Sequence, residues 1–488
     1  MWSPIHSPSP SSLPHHKYTS TMQTFTSLPT EILHRVIHYT DFESLKSLHL
    51  TSRSLSVISK GRLFEAITLL AEEESCKKFE KFFEDSSRAQ HVTKIYFDLS
   101  NWEGDYDDDD DTFDDTSSEN PELSINQFEL RTFIRLFDRL KELPRLRSVV
   151  LRFHHECCIE NYWEKACHSV ELRSMVMERF MASLVSLPQP PRELAIRDLQ
   201  NVNETDPEVV NNITKVLWNL RALRLNITNE HDEGNGEHDL AQAEPHVFFP
   251  QITPFWLKPT MSNLEHLTLY SNNYWGYYPK CDFQGIHFPR LKTLALGNYG
   301  FVHDSQLDWI LSHGKTLTEL YLDDCPILFE VAIYNKERTY LDPNTYINKP
   351  EAGERHWASY DKRWHHHFKS FQENLPRLRH FRYGHCPHWW DDDTTPFERE
   401  TEIIMGIHDE SYMVFCDGYG PSPYMEKMIY DGVRDNDTGF VEGNPLPWIG
   451  EDQTSLEELL AKIGQGFVMN RRSRYQIEQA RNKRTPRR

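Results

Sequence analysis

A hexamer, LxxLxL, recurs along this chain and limits its possible folds more than any other feature. It stands as Leu146-Val149-Leu151, Leu220-Leu223-Leu225, Leu264-Leu267-Leu269, Leu291-Leu294-Leu296 and Leu317-Leu320-Leu322. Leu378-Phe381-Tyr383 is a degenerate copy, and Val92-Ile95-Phe97 and Pro191-Leu194-Ile196 are weaker ones. The alternation within each hexamer predicts a short strand with one buried face. Between copies, stretches such as 128–143 and 176–187 carry helical spacing. A unit of one strand and one helix cannot bury its apolar face alone, so neighbouring units must stack. The starts at 264, 291 and 317 lie 27 and 26 residues apart. The other gaps are longer and are read as holding insertions.

One strand plus one helix per unit is the layout of leucine-rich repeats, and residues 70–390 resemble that class. Such repeats often place Asn or Cys three residues after the last apolar strand position, to satisfy backbone groups at the turn. Asn272, Cys325 and Cys386 fall there, whereas Thr228 and Tyr299 break the pattern. The expected fold class is α/β: an irregular solenoid with parallel strands on a concave face and helices outside. Residues flanking the buried leucines would then face the concave surface and meet a substrate. These are His266, Thr268 and Tyr270; Glu319, Tyr321 and Asp323; and His380 and Arg382, with Arg224 and Asn226 on an earlier strand. Their mixed chemistry names no ligand.

Ahead of the repeats, 27–69 reads as a compact helical module. Pro29 suits a first helical position, and Ile32, Leu33, Val36 and Ile37 follow on one stripe. Asp41 is a plausible N-cap for a second helix carrying Phe42, Leu45 and Leu48. A third helix runs from about Ser52 to Phe64. Three short helices have more apolar surface than they can bury among themselves. The segment Leu28 to Leu69 resembles an F-box. Leu28, Pro29, Glu31, Ile32 and Leu33 match the opening of that family's pattern, and Asp41, Ser44, Leu45, Leu48, Leu50, Thr51, Ser52 and Arg53 match its continuation. Leu63-Phe64 replaces the usual closing Trp, a departure similar to fungal members.

The resemblance implies a non-catalytic substrate receptor of a Skp–cullin–F-box ubiquitin ligase. Leu28, Pro29, Ile32, Leu33 and Ile37 would bind a Skp-type adaptor and, through it, cullin, while Leu45, Leu48 and Leu50 share module packing. The repeats would hold a protein substrate. No cofactor or metal is implied. A repeat scaffold acting outside a ligase is the alternative, and an enzyme within 391–470 is a third.

Composition works against a nucleic-acid partner. The 488 residues carry a net charge of −21, from 53 basic and 74 acidic residues. That sign works against nucleic-acid backbones, which need a basic face. Eight cysteines are scattered, and thiols are the expected state. No apolar run approaches the roughly 18–20 residues of a membrane span, so the cytoplasm or nucleus is the expected compartment. Residues 1–26 read as a disordered Ser/Pro/His-rich leader. Residues 103–115 read as a solvated acidic loop, or a dock for a basic partner. Residues 391–470 read as a cap or appended segment. Residues 471–488 read as a basic disordered tail: a frayed end, a nuclear address or a nucleic-acid contact.

Three stretches invite chemistry. Gly314-Lys315-Thr316 resembles the end of a phosphate loop, but Trp309 stands where that motif needs Gly. His154-His155-Glu156-Cys157-Cys158, near Cys167-His168, has zinc-ligand types without paired ligand spacing. His365-His366-His367 are adjacent on a predicted helix and cannot converge on one ion.

Overall fold

The computed structural model describes residues 28–102, 127–158, 168–232, 237–238, 240, 242–349, 354–386, 397–417, 420–422 and 450–466. They form two compact units that divide between Glu65 and Ala66. The leader (1–26), the acidic loop (103–115) and the basic tail (471–488) lie outside the described residues.

The first unit consists of helices α1 (Thr30–Tyr39), α2 (Phe42–Thr51) and α3 (Arg53–Leu63). Pro29 is the N-cap of α1, one position earlier than expected. Its carbonyl accepts from the N–H groups of Ile32 and Leu33 at 3.0 and 3.1 Å. Asp41 caps α2 as the sequence predicts, accepting from Ser44 N–H at 2.9 Å. Ser52 caps α3 through Leu55 N–H at 3.3 Å. Such caps satisfy backbone donors that a short helix leaves orphaned. Leu33, Ile37, Leu45 and Leu55 are the buried apolar side chains of the unit. The unit ends at Glu65 rather than residue 69, because Ala66–Leu70 belongs to the sheet that follows.

The second unit is mixed α/β around a large, mostly parallel sheet. Its strands are β1 (Ala66–Leu70), β2 (Lys94–Asp98), β3 (Ser148–Arg152), β4 (Glu193–Gln200), β5 (Ala222–Thr228), β6 (His266–Ser271), β7 (Thr293–Gly297) and β8 (Glu319–Asp323). Next in the chain come β9 (Ile327–Ile333), β10 (Ile347–Asn348), β11 (His356–Ser359), β12 (His380–His385), β13 (Ile404–Met405), β14 (Tyr412–Cys416) and β15 (Gly420–Ser422). Among the described residues the large sheet holds ten strands, β1 to β8 in chain order, then β12 and β13. Each of the eight hexamers supplies one strand, β2 to β8 and β12. Strand β1 carries no hexamer, and β13 runs antiparallel at the edge.

The register is uniform across the best copies. Leu223, Leu267, Leu294, Leu320 and Phe381 pair in one row, and Leu225, Leu269, Leu296, Leu322 and Tyr383 in the next. All ten are fully buried. Fully burying one such side chain is worth about 1.5–3 kcal/mol, so a slip by one residue would forfeit every row at once. The leucine face packs in one core with helices α4 (Glu73–Phe82), α5 (Gln127–Arg135), α6 (Val170–Val185), α7 (Pro207–Trp218), α8 (Glu244–Gln251), α9 (Asp304–Leu311), α10 (Trp364–Asn374) and α11 (Glu451–Lys462). At the turns, Asn272 Nδ2 donates to the Asn229 carbonyl at 3.2 Å, and Cys325 Sγ donates to the Leu296 carbonyl at 3.4 Å.

Two parts differ from expectation. Residues 327–359 leave the repeat pattern and supply β9 to β11, which with β14 and β15 build a second, five-stranded sheet, ordered β10-β11-β9-β14-β15. All seven residues of β9 are buried, because it is a central strand covered on both faces. The described parts of residues 391–470, read as a cap or appended segment, belong to the second unit. They are woven into it: β13 extends the large sheet, β14 pairs with β9, and α11 is tied to α10 by Asp452 Oδ1, which accepts from His365 N–H at 2.9 Å.

Candidate functional site

The first candidate surface lies on α1. A 3.6-residue repeat splits its apolar residues into two adjacent rows. Leu33 and Ile37 form the inner row, with Leu33 only 4% exposed, and pack in the module's interior. They are corrected from adaptor-contact candidates to core. Ile32, one residue away, is 43% exposed and Val36 is 37% exposed. Pro29 is exposed and Leu28 half-buried. Tyr39, Phe42, Leu50 and Val57 are also solvent-facing. Leu50 was expected in module packing, yet is 84% exposed. An open hollow lined by Arg35, Val36, Tyr39 and Thr40 ends the stripe. So much exposed apolar area on so few residues is a mark of an interaction site.

The second candidate surface is the sheet face opposite the leucines, and the chain covers much of it itself. Residues 397–405 run across the strands as a strap. Glu398 pairs with Lys94 on β2 at 2.5 Å. Phe397 is buried against Val150 and Ala195 on β3 and β4. Glu400 Oε1 accepts from Thr268 Oγ1 on β6 at 2.9 Å and lies 3.6 Å from Arg224 Nε on β5. Ile403 packs with Tyr270, Ala295 and Tyr321 on β6, β7 and β8. Its carbonyl accepts from Arg382 Nη1 on β12 at 2.7 Å.

Electrostatics hold the strap in place. Thr268 has one hydroxyl proton and gives it to Glu400, so the 2.9 Å contact with His266 must be donated by His266 Nε2. Burial lowers the His266 pKa, against the pull of Glu400. The imidazole is therefore neutral at pH 7, and Arg224 is the counter-charge of Glu400. Burial alone would raise the Glu400 carboxyl; the same His266 Nε2–H, shared between Thr268 and Glu400 Oε1 at 3.5 Å, and the Arg224 charge outweigh it and hold the carboxyl below its usual range. Burial likewise opposes the Lys94 charge, but the Glu398 hydrogen bond and charge raise its pKa.

The expected substrate contacts divide accordingly. Thr268, Tyr270, Tyr321 and Asp323 are buried, and the reading of them as open contacts is corrected. His266, Glu319 and Arg382 are half-buried. His380 alone among the eight stays exposed. The strap's Phe397, Glu398, Glu400 and Ile403 escaped sequence reasoning. The available signal was on the receiving side: Lys94, Arg224 and Arg382 are cations on strands of an acidic protein, and each needed a partner.

The three chemical stretches have structural roles. A Cβ at Gly314 would lie 2.1 Å from the Asn374 carbonyl oxygen, which leaves no room for a phosphate. His168 is buried, accepting from His154 N–H at 3.2 Å and meeting the Trp102 carbonyl at 3.2 Å. His365 Nδ1 bonds Asp452 at 2.9 Å, while His367 is buried with Nε2 3.3 Å from Tyr360 Oη. The six cysteines with described side chains are buried thiols, with no disulfide among them. No helix among the described residues is long and apolar enough to cross a membrane. No protein-family model matches the chain, and no curated protein matches it.

Proposed function

We propose that this chain is a non-catalytic substrate-recognition subunit of an SCF-type ubiquitin ligase. An F-box, residues 28–65, docks on a Skp-type adaptor and through it on cullin, and the larger unit, an irregular leucine-rich-repeat solenoid, holds a protein substrate. The observation that carries this reading is the exposed row Pro29, Ile32 and Val36, with Leu28 half-buried at its start. It runs along the start of α1, whose other apolar row already fills the module core, and Leu28, Pro29 and Ile32 of it belong to the F-box opening pattern. Eight hexamers in matched register support the repeat reading. The chain acts by positioning, making the meeting of a substrate lysine and a charged enzyme nearly unimolecular.

Co-purification with a Skp-type adaptor tests the docking. Ile32→Asp places a charge in an apolar interface at a cost of several kcal/mol, and should abolish capture, as should Leu28→Ala with Pro29→Ala. Circular dichroism should stay native for Ile32→Asp, whereas Leu33→Ala, a core truncation, should lose about 2–4 kcal/mol of module stability. Undiminished capture by Ile32→Asp refutes the reading. The strap over the sheet face favours a second reading, a repeat scaffold that binds the adaptor outside a ligase. Adaptor recovered without cullin would select it.

A further inference from the structure

Where β8 and β12 end, four side chains converge that belong to neither surface above. Asp324 follows β8 with a left-handed φ of 51°, and His385 ends β12. His408 and Glu410 lie on the turn between β13 and β14. Ligating atoms of Asp324, His408 and Glu410 all lie within 4.8 Å of one another. His385 Nδ1 is 3.3 Å from Asp324 Oδ2, and His408 Nδ1 is 4.0 Å from Asp324 Oδ1. The second distance is too long for a hydrogen bond. It is within the span of two ligands on one ion with bonds of about 2.0–2.2 Å.

Two further observations point to a cation. Both ring nitrogens of His408 are shut off from solvent and make no hydrogen bond among the described residues, a costly state for a buried imidazole. The ring is held against Tyr383, 5.7 Å between centroids and 26° from parallel, so it is fixed rather than free to seek water. Asp323 is also buried, and its Oδ1 has no hydrogen-bond partner among the described residues. The carboxylates of Asp324 and Glu410 thus meet the unpartnered His408 ring within ligating distance of one another, and a divalent cation would satisfy that donor set.

We propose that Asp324, His408 and Glu410 form a divalent-metal site that takes zinc, with His385 as a positioning residue that holds Asp324. An imidazole nitrogen with two carboxylate oxygens is within zinc's donor range, whereas calcium and magnesium favour all-oxygen sets. The ion would join the exit of β8 to the turn that follows the strap, fixing the strap's trailing end to the sheet. Binding only the folded chain, it would raise the melting temperature.

The test uses the full chain, stripped with a chelator and titrated with zinc chloride against a chromophoric chelator, and with cobalt(II) by absorption. One equivalent of zinc should bind, with d–d absorption from cobalt and a rise in melting temperature. His408→Gln and Asp324→Asn should each weaken binding at least tenfold, while His365→Gln leaves it unchanged. His408→Gln keeps a hydrogen-bonding side chain, and its melting in metal-free buffer reports folding separately. No zinc stoichiometry in the wild type, or equal binding by wild type and His408→Gln, overturns the proposal. The cobalt spectrum decides on the wild type alone if both variants fail to fold.

Discussion

Glu400→Gln isolates the charge that holds the strap. The substitution keeps size and hydrogen-bonding shape but removes the carboxylate 3.6 Å from Arg224 Nε. At an effective dielectric of about 20, that attraction is about 4–5 kcal/mol. Burial of both partners offsets part of it, and Arg224 retains some solvent, with 18% side-chain exposure. The carboxyl pKa is nevertheless depressed, by the His266 hydrogen bond first and the Arg224 charge next, and a hydrogen bond to a charged group contributes about 1.5–3 kcal/mol. Strap opening should therefore rise at least about tenfold. Hydrogen exchange reads this directly at Glu402 and Gly406, whose N–H groups are bonded to the Arg399 and Tyr383 carbonyls at 2.7 and 2.9 Å. Amides of α6, remote from the strap, should exchange as before. Arg224→Met should produce a similar loss, and the double variant should be no worse than either single one. The sign with pH follows from the depressed carboxyl. Its contribution is complete above the ordinary value of 4.5 and is lost as pH falls through the lower folded value. Acid should therefore loosen the wild-type strap but not add to the effect of Glu400→Gln. Unchanged exchange at 402–406 in Glu400→Gln, or strict additivity with Arg224→Met, refutes the reasoning.

Two other perturbations probe the same unit. A Cβ at Gly384 would lie 1.8 Å from the Ile404 carbonyl oxygen, a backbone atom. Gly384→Ala should therefore cost about 3 kcal/mol and release the β12–β13 pairing, with faster exchange at 404–406 and protection retained in β5 to β7. Uniform protection would contradict it. His367 is buried, and burial lowers its pKa to about 3. The unfolded chain takes up that proton from about pH 6.5 downward, so the neutral ring contributes stability above 6.5 that is lost toward pH 3. Each pH unit in that window should remove about 1.4 kcal/mol. Urea denaturation between pH 7 and 4 should show a shallower loss in His367→Gln than in the wild type, and identical slopes would exclude the assignment.

Much of the sheet was legible because its signal is local. Alternation in "LEHLTL" or "LKTLAL" fixes which side chains can be buried together, and repetition fixes how many times. The site was less legible. On α1, both rows are apolar at i, i+4 spacing, Leu33 with Ile37 and Ile32 with Val36, so periodicity alone does not say which row α2 and α3 cover. At the sheet, the outward positions read from the sequence on β5, β6, β8 and β12 do share one face. Their covering by residues 397–405 was not legible, since Glu400 and Thr268 are 132 residues apart and nothing in either neighbourhood encodes the other. The same holds for residues 327–333, an apolar run that reads equally as a repeat strand or, as found, the centre of a second sheet.

The sequence by itself determined the eight hexamer strands, their common buried face, the Asp41 cap of α2 and the surplus of apolar surface on α1. Each of these depends on a period, a cap or a composition contained within one segment. Only the tertiary structure decided that Leu33 and Ile37 are core while Ile32 and Val36 face solvent. It alone decided that Thr268, Tyr270 and Tyr321 lie beneath a strap, and that Asp324 meets His385 and His408. Those outcomes depend on which distant segments share a surface. That choice is set by the summed burial and charge pairing of the whole unit, for which no local pattern is a substitute.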